Sequence, residues 1–251
     1  MSLTIDALPP ARRIDAIFTA AMASEAAPLH GLAEGSGNPI ALGSSGSLRL
    51  FCIGEATVGL LSTGIGLVNA ASALSAALCY VRPGYIFSCG SAGGLDADSK
   101  IGDVTAGATC LYSTADARAF GYKLGQVPEM PERYHANPDL LSRFEELSRT
   151  LKNTRLRAGL FLSSDKFVSV DSALELRELF PEAITVDMES AALAQVAYGA
   201  KIPFLALRGI SDLCGPSSHA DNNENAGDVS RLSFLTAMTL IGLREPAEFD
   251  A

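Results

Sequence analysis

Residues 184–212, ITVDMESAALAQVAYGAKIPFLALRGISD, read as strand, helix, strand. Ile184 to Val186 is a β-branched apolar run, and Asp187-Met188-Glu189 follows at once. From Met188 to Tyr198 the chain is rich in Ala with one mostly apolar side, the pattern of a tightly packed helix. Gly199 and Pro203 punctuate its end, and Pro203 to Leu207 reads as a second buried strand. Ser211-Asp212 stands just past that strand. Ligands of an open parallel sheet collect at the carboxyl ends of its strands. One acidic group after each strand, Glu189 and Asp212, therefore reaches the same crevice.

The whole chain, 251 residues, is long enough for one large domain. A hydrophobic fraction of 48% and a charged fraction of 19% fit a well-buried globular protein. The formal charge of −9 leaves no basic stripe to neutralise phosphates, which argues against nucleic acid and anionic membranes as partners. Five cysteines without C-x-x-C spacing, in mostly apolar surroundings, indicate free thiols in a reducing compartment. His30, His135 and His219 are scattered and show no metal-ligand spacing. Arg12-Arg13 ahead of IDAIFTAAMASEA has some look of a secretory leader, but Asp15 interrupts an already short apolar run. A first buried strand from Arg13 to Ala20 is the better reading, after a loose arm over residues 1–12.

Working along the chain, Glu25 sits in a short helix, where a first-turn carboxylate is favourable in any protein. Residues 31–48 read as loop. Leu48 to Ile53 and Ala56 to Ser62 alternate around Gly54-Glu55 and form a hairpin. Gly64-x-Gly66 lacks the third glycine of a dinucleotide fingerprint. Gly84 to Cys89 is a strand that ends in Gly90-Ser91-Ala92-Gly93-Gly94-Leu95, a cluster that lets backbone N–H groups approach a ligand. Val104 to Tyr112 and Arg155 to Leu162 are further strands. The segment 113–138 is long enough to be functional or held by a partner. Pro138 to Thr150 is an amphipathic helix with Leu140, Leu141, Phe144 and Leu147 inward, and Asp171 caps a helix to Phe180. A polar loop spans 215–228, and Val229 to Leu243 is the last helix. Interleaved strands and helices without a linker give one α/β domain over 13–245, with a central mixed sheet flanked by helices.

Eight stretches, collinear from about residue 13 to 213, resemble the nucleoside phosphorylase/nucleosidase superfamily, and most closely the 5′-methylthioadenosine/S-adenosylhomocysteine nucleosidases. They are Ala21-Met22-Ala23-Ser24-Glu25, Thr63 to Ala71, Gly90 to Leu95, Ile101-Gly102-Asp103, Ala119 to Gln126, Ser164 to Val168, and Val186 to Glu189 with Arg208 to Asp212. The resemblance implies hydrolysis of the bond between adenine and a 5′-thio-substituted ribose, with no cofactor and no metal. A purine departs more easily once protonated, and water needs a base on the other face of the sugar.

By that resemblance Asp212 is the acid, Ser211 orients it, Glu25 activates water, and Arg208 lies nearby among the substrate contacts. Glu189 and the Met188 backbone hold the ribose hydroxyls. Phe167 stacks on adenine and the Val168 backbone reads its edge. Ser91, Ala92 and Gly93 line the base and sugar side, with Met22 and Ile65 among the contacts. Phe120 and Pro128 reach a neighbouring subunit's pocket, which implies a homodimer, and the free thiols place it in the cytoplasm.

A phosphorylase would need arginine and open amides for phosphate. Thr19 to Met22 and Ser88 lack the arginines that related phosphorylases carry, and a carboxylate at Glu25 would repel phosphate. The hydrolase is therefore preferred over a purine or uridine phosphorylase. A non-catalytic nucleoside binder would have no use for a general acid. Asn222 stands where the family has an aromatic residue over the thioalkyl group, and Ala117 is small for its position. Another 5′-modified adenosine, such as aminofutalosine, stays open as the substrate.

Overall fold

The structure, a computed structural model, describes residues 11–33, 37–43 and 46–250. Its strands are β1 (Arg12–Ala20), β2 (Ile40–Leu42), β3 (Gly46–Ile53), β4 (Ala56–Ser62), β5 (Val81–Ser88), β6 (Ser91–Gly94), β7 (Val104–Tyr112), β8 (Tyr134–His135), β9 (Leu156–Ser163), β10 (Ala183–Asp187) and β11 (Phe204–Asp212). The helices between them are α1 (Ala23–His30), α2 (Leu67–Ala77), α3 (Pro138–Thr150), α4 (Val170–Leu179), α5 (Ser190–Ala200) and α6 (Ser218–Leu240).

The strands form one sheet in the order β2-β3-β4-β1-β5-β11-β6-β10-β9-β7-β8, and β7 also pairs with β11. The pairings β11–β6–β10–β9–β7–β11 therefore close on themselves. Three of the five pairings are parallel and two, β6–β10 and β7–β11, are antiparallel, so the expected mixed sheet is present. β11 is its hub and is buried along all its length. Its first residues, Phe204 to Ala206, pair with β5, and its last, Gly209 to Asp212, pair with β6. The sheet changes partners at Cys89-Gly90, and a crevice opens where the two neighbours diverge. Ligands of α/β sheets gather at such switch points.

Each face of the sheet is covered because β-strand side chains alternate sides. On one face Phe18, Phe87 and Phe234 pack together beneath α1, α3 and α6, with Phe18 stacked on Phe87 at 5.6 Å between ring centres. On the other, the Ala-rich flanks of α2 and α5 meet Ile17, Ile86 and Ala206. Small side chains let these two helices lie close to the sheet. Among the described residues no helix is long and apolar enough to cross a membrane.

Several expectations need correction. The polar stretch 215–228 is not a loop: α6 starts at Ser218 and runs unbroken to Leu240. Its first half shows no apolar stripe because it lies over a cavity instead of the core. The glycine-rich run after β5 pairs as β6, and the loop expected over 31–48 contains β2. α4 starts at Val170 and is capped by Ser169, not Asp171, through the reciprocal contact of Ser169 N with Ser172 Oγ at 3.1 Å. Leu140, Phe144 and Leu147 of α3 are buried, whereas Leu141 is only half-buried. Most of the arm expected over residues 1–12 lies outside the described residues, and Arg12 already belongs to β1, between β4 and β5.

Gly209 sets how closely α6 approaches the hub strand. A Cβ there would stand 2.2 Å from the carbonyl oxygen of Val229, a backbone atom that cannot swing aside. Gly209→Ala should therefore cost about 2–4 kcal/mol, roughly 5–15 °C in Tm, read by thermal denaturation.

Candidate active site

The crevice at the β5–β11–β6 junction is a cavity of about 210 Å³. Its wall includes Met22, Glu25, Ile65, Ser91, Ala92, Gly93, Phe167, Val168, Met188, Glu189 and Asp212, all anticipated from the sequence. Five ionisable groups at or beneath it are nearly removed from water: Glu25, Asp187, Glu189, Arg208 and Asp212. Buried charges persist only when paired and hydrogen-bonded, so their partners decide what each can do.

Glu25 occupies the third position of α1, and its side chain turns back on the helix start. One oxygen accepts from Ala21 N at 3.0 Å and Met22 N at 3.1 Å. The other accepts from Ser91 N and Ser91 Oγ, both at 2.8 Å. Four donors fix the carboxylate in place. The bland reading of Glu25, a surface charge on a helix start, fails because the side chain is only 2% exposed.

Arg208 lies under the cavity floor and is not on the wall. Its Nε donates to Asp187 Oδ2 at 3.0 Å, and Nη2 donates to Glu189 Oε2 at 3.2 Å. Nη1 donates to Cys89 O at 2.9 Å, and Nη2 also reaches Ser88 Oγ at 3.0 Å. Its expected place among the substrate contacts is therefore corrected: it supports the carboxylates from below. Burial works against the guanidinium charge, but Asp187, Glu189 and Glu25 outweigh it and push its pKa up. Gly90 makes the junction possible. At φ +145° a Cβ would stand 2.3 Å from Arg208 Nη1 and 2.7 Å from Glu25 Oε1. Only glycine lets the Glu25 carboxylate and the guanidinium come this close.

Asp187 ends β10, and its Oδ1 accepts from Ser163 Oγ at 2.5 Å, Ser190 N at 3.1 Å and Glu189 N at 3.2 Å. It is an anchor for Arg208 and for the start of α5. Glu189 Oε1 accepts from Gly66 N at 3.0 Å, which ties the Gly64-Ile65-Gly66 turn to the site. Burial raises the pKa of Glu189 to about 7; the Asp187 and Glu25 charges add to the rise, against Arg208 and the Gly66 amide.

Asp212 closes β11. Its Oδ2 accepts from Ser211 Oγ at 3.1 Å and its Oδ1 from Cys214 N at 3.0 Å. Ser211 is fully buried behind the wall and acts on the cavity through Asp212. Cys214 lines the cavity, but burial first and the Asp212 charge next push its thiol up to about 12, so it stays a neutral packing group. Phe167 stands half-exposed at the mouth, with its ring edge-on to His219 at 6.5 Å. Phe120 is 83% exposed, and neither it nor Pro128 belongs to the wall of this cavity.

Comparisons with known proteins agree with this geometry. A profile described as the phosphorylase superfamily matches residues 15–241. The chain belongs to that superfamily. It is 36% identical over 183 residues to a 5′-methylthioadenosine/S-adenosylhomocysteine nucleosidase of Staphylococcus haemolyticus (strain JCSC1435), covering 72% of this chain and 80% of that one. The Neisseria meningitidis nucleosidase of the same description, in complex with methylthio-immucillin-A, superposes with a TM-score of 0.85. It is 29% identical, over 92% of this chain and 98% of its own. The Colwellia psychrerythraea 34H nucleosidase in complex with adenine gives a TM-score of 0.86 at 28% identity, over 92% and 95% of the two chains.

The sequence reading gave no role to Lys166, Asp187, His219 and Asn223, all on the wall. A polar half-helix carries no periodic signal, so His219 and Asn223 had little to announce them, and Lys166 was quoted only as part of its motif. Asp187 was quoted in its motif but given no role, although an aspartate ending a buried strand is a recognisable sign.

Two measurements test the buried network. Arg208→Leu leaves Asp187 and Glu189 without their cation and should cost about 3–5 kcal/mol in chemical denaturation. Glu189 holds its proton more tightly in the fold, at about 7, than its ordinary value of 4.5. Its stabilising share is complete below about pH 4.5 and is lost as pH rises through about 7. Glu189→Gln does not titrate, so its Tm relative to the wild type should rise between pH 5 and pH 8.

Proposed function

We propose that this chain hydrolyses the N-glycosidic bond of 5′-methylthioadenosine and S-adenosylhomocysteine, releasing adenine and the thio-ribose. The observation that carries the reading is the position of Glu25. The amides of Ala21, Met22 and Ser91, with the Ser91 hydroxyl, form a cluster of donors that would suit an oxyanion such as phosphate. Here all four point at a carboxylate of the same chain. Arg208, which could also attract phosphate, is committed to Asp187 and Glu189. A site arranged in this way favours water over phosphate as the acceptor of the ribosyl group.

In this mechanism adenine stacks on Phe167, with the Val168 backbone at its edge and Ala92 and Gly93 beneath. Glu189 and the Met188 backbone hold the ribose hydroxyls. Asp212, oriented by Ser211, protonates the departing base as the glycosidic bond breaks. The sugar develops oxocarbenium character, and Glu25 takes a proton from the attacking water. Charge developing on the sugar is matched by the surrounding carboxylates. The exposed Phe120, with Pro128, completes the pocket of a second copy in a homodimer. The free thiols of all five cysteines suit a reducing compartment, the cytoplasm, where such a nucleosidase would serve nucleoside catabolism and methionine salvage.

Adenine release from methylthioadenosine in phosphate-free buffer tests the reading. Asp212→Asn should lower kcat about 10²–10⁴-fold while calorimetry still detects adenine binding. Near-normal turnover by that variant contradicts the assignment of the acid. Glu25→Gln should fall by at least about 10²-fold, with KM changed little.

A further inference from the structure

The two halves of α6 do different work. Beyond Val229 its buried residues, Phe234, Ala237, Met238 and Leu240, belong to the core. Before it, the helix presents Asn222 and Asn225 to the end of β11. They are three apart and so share a face of the helix. Asn222 Nδ2 donates to Ser211 Oγ at 2.9 Å. Asn225 Nδ2 donates to Ser211 O at 3.2 Å and to Asp221 O at 2.8 Å. One residue, Ser211, is thus gripped by both its side chain and its backbone.

The consequence lies in the single proton of a hydroxyl. Two acceptors compete for it at almost equal range, Asp212 Oδ2 at 3.1 Å and Ala92 O at 3.2 Å. A hydroxyl that accepts an N–H becomes a stronger donor, and its remaining geometry is restricted. The charged carboxylate is the better acceptor for a strengthened donor.

From this we infer that Asn222 is a positioning residue for the leaving-group acid. Its amide holds the Ser211 hydroxyl turned toward Asp212, and the hydroxyl holds the carboxyl plane toward the departing base. Asn225 fixes the peptide from which both side chains spring. The inference rests on Asp212 being the acid, as proposed above. It gives the polar first half of α6 a purpose that a loop covering the substrate would not have.

A double-mutant cycle separates the possibilities. Adenine release from methylthioadenosine is measured for the wild type, Asn222→Ala, Ser211→Ala and the double variant. Asn222→Ala should lower kcat about tenfold while KM stays within about twofold. In the Ser211→Ala background it should change kcat no further, because its route to Asp212 is already cut. Asn222→Leu, which keeps the branched side chain and the same number of heavy atoms but lacks the N–H, should behave like the alanine variant and so excludes the loss of side-chain bulk as the cause. If Asn222→Ala raises KM and spares kcat, or if its effect multiplies with that of Ser211→Ala, Asn222 is only a wall residue and the inference falls. If Asp212→Asn itself keeps normal turnover, the underlying acid assignment fails, an outcome recognisable apart from the other two.

Discussion

A guanidinium with no access to water organises this molecule. Arg208 is 1% exposed, and its donors are divided among Asp187, Glu189, the Cys89 carbonyl and the Ser88 hydroxyl. Stripping a charge of water is costly unless the surroundings restore what is lost. Here the surroundings are the ends of β5, β10 and β11, so the cation can be satisfied only when those three strands are in register. The same contacts place Glu189 at the cavity and link it to the Gly66 amide from the α2 side. Stability and site geometry thus depend on one set of interactions.

Around that cation the remaining carboxylates are separated by their donors. Glu25 is surrounded by amides and a hydroxyl from the α1 start and β6, Glu189 by a guanidinium and an amide, and Asp212 by a serine hydroxyl and one amide. Three groups of one chemical type thereby acquire different environments within one small cavity. Division of labour among carboxylates usually has this origin. The break in the sheet at Gly90 provides the space, since a side chain there would collide with both Arg208 and Glu25.

Much of this was legible in the residues. The strand–helix–strand of 184–212 appears as β10, α5 and β11, shifted by one or two positions at most starts and ends, and it brings Glu189 and Asp212 to one crevice as expected. β11 runs five residues further than its apolar stretch suggested, because a hub strand inside a closed ring can carry Arg208 and Ser211 when both are satisfied. Hidden from the sequence were features that depend on long-range partners. The polar half of α6 looked like loop because its face meets a cavity and its periodicity serves Ser211, not a core. Arg208 looked like a substrate contact because it shares a motif with Ser211 and Asp212; its burial comes from strands far away in the chain. Asn222 looked like a departure without a purpose until its amide was found on Ser211.

The central claim is that the ribosyl group passes to water because Glu25 occupies the donors an incoming phosphate would need. Phosphorus NMR of the products formed from methylthioadenosine in saturating phosphate tests it most directly. Transfer to water predicts adenine and a free reducing sugar, with inorganic phosphate as the only phosphorus signal. A sugar 1-phosphate appearing in step with adenine would contradict it.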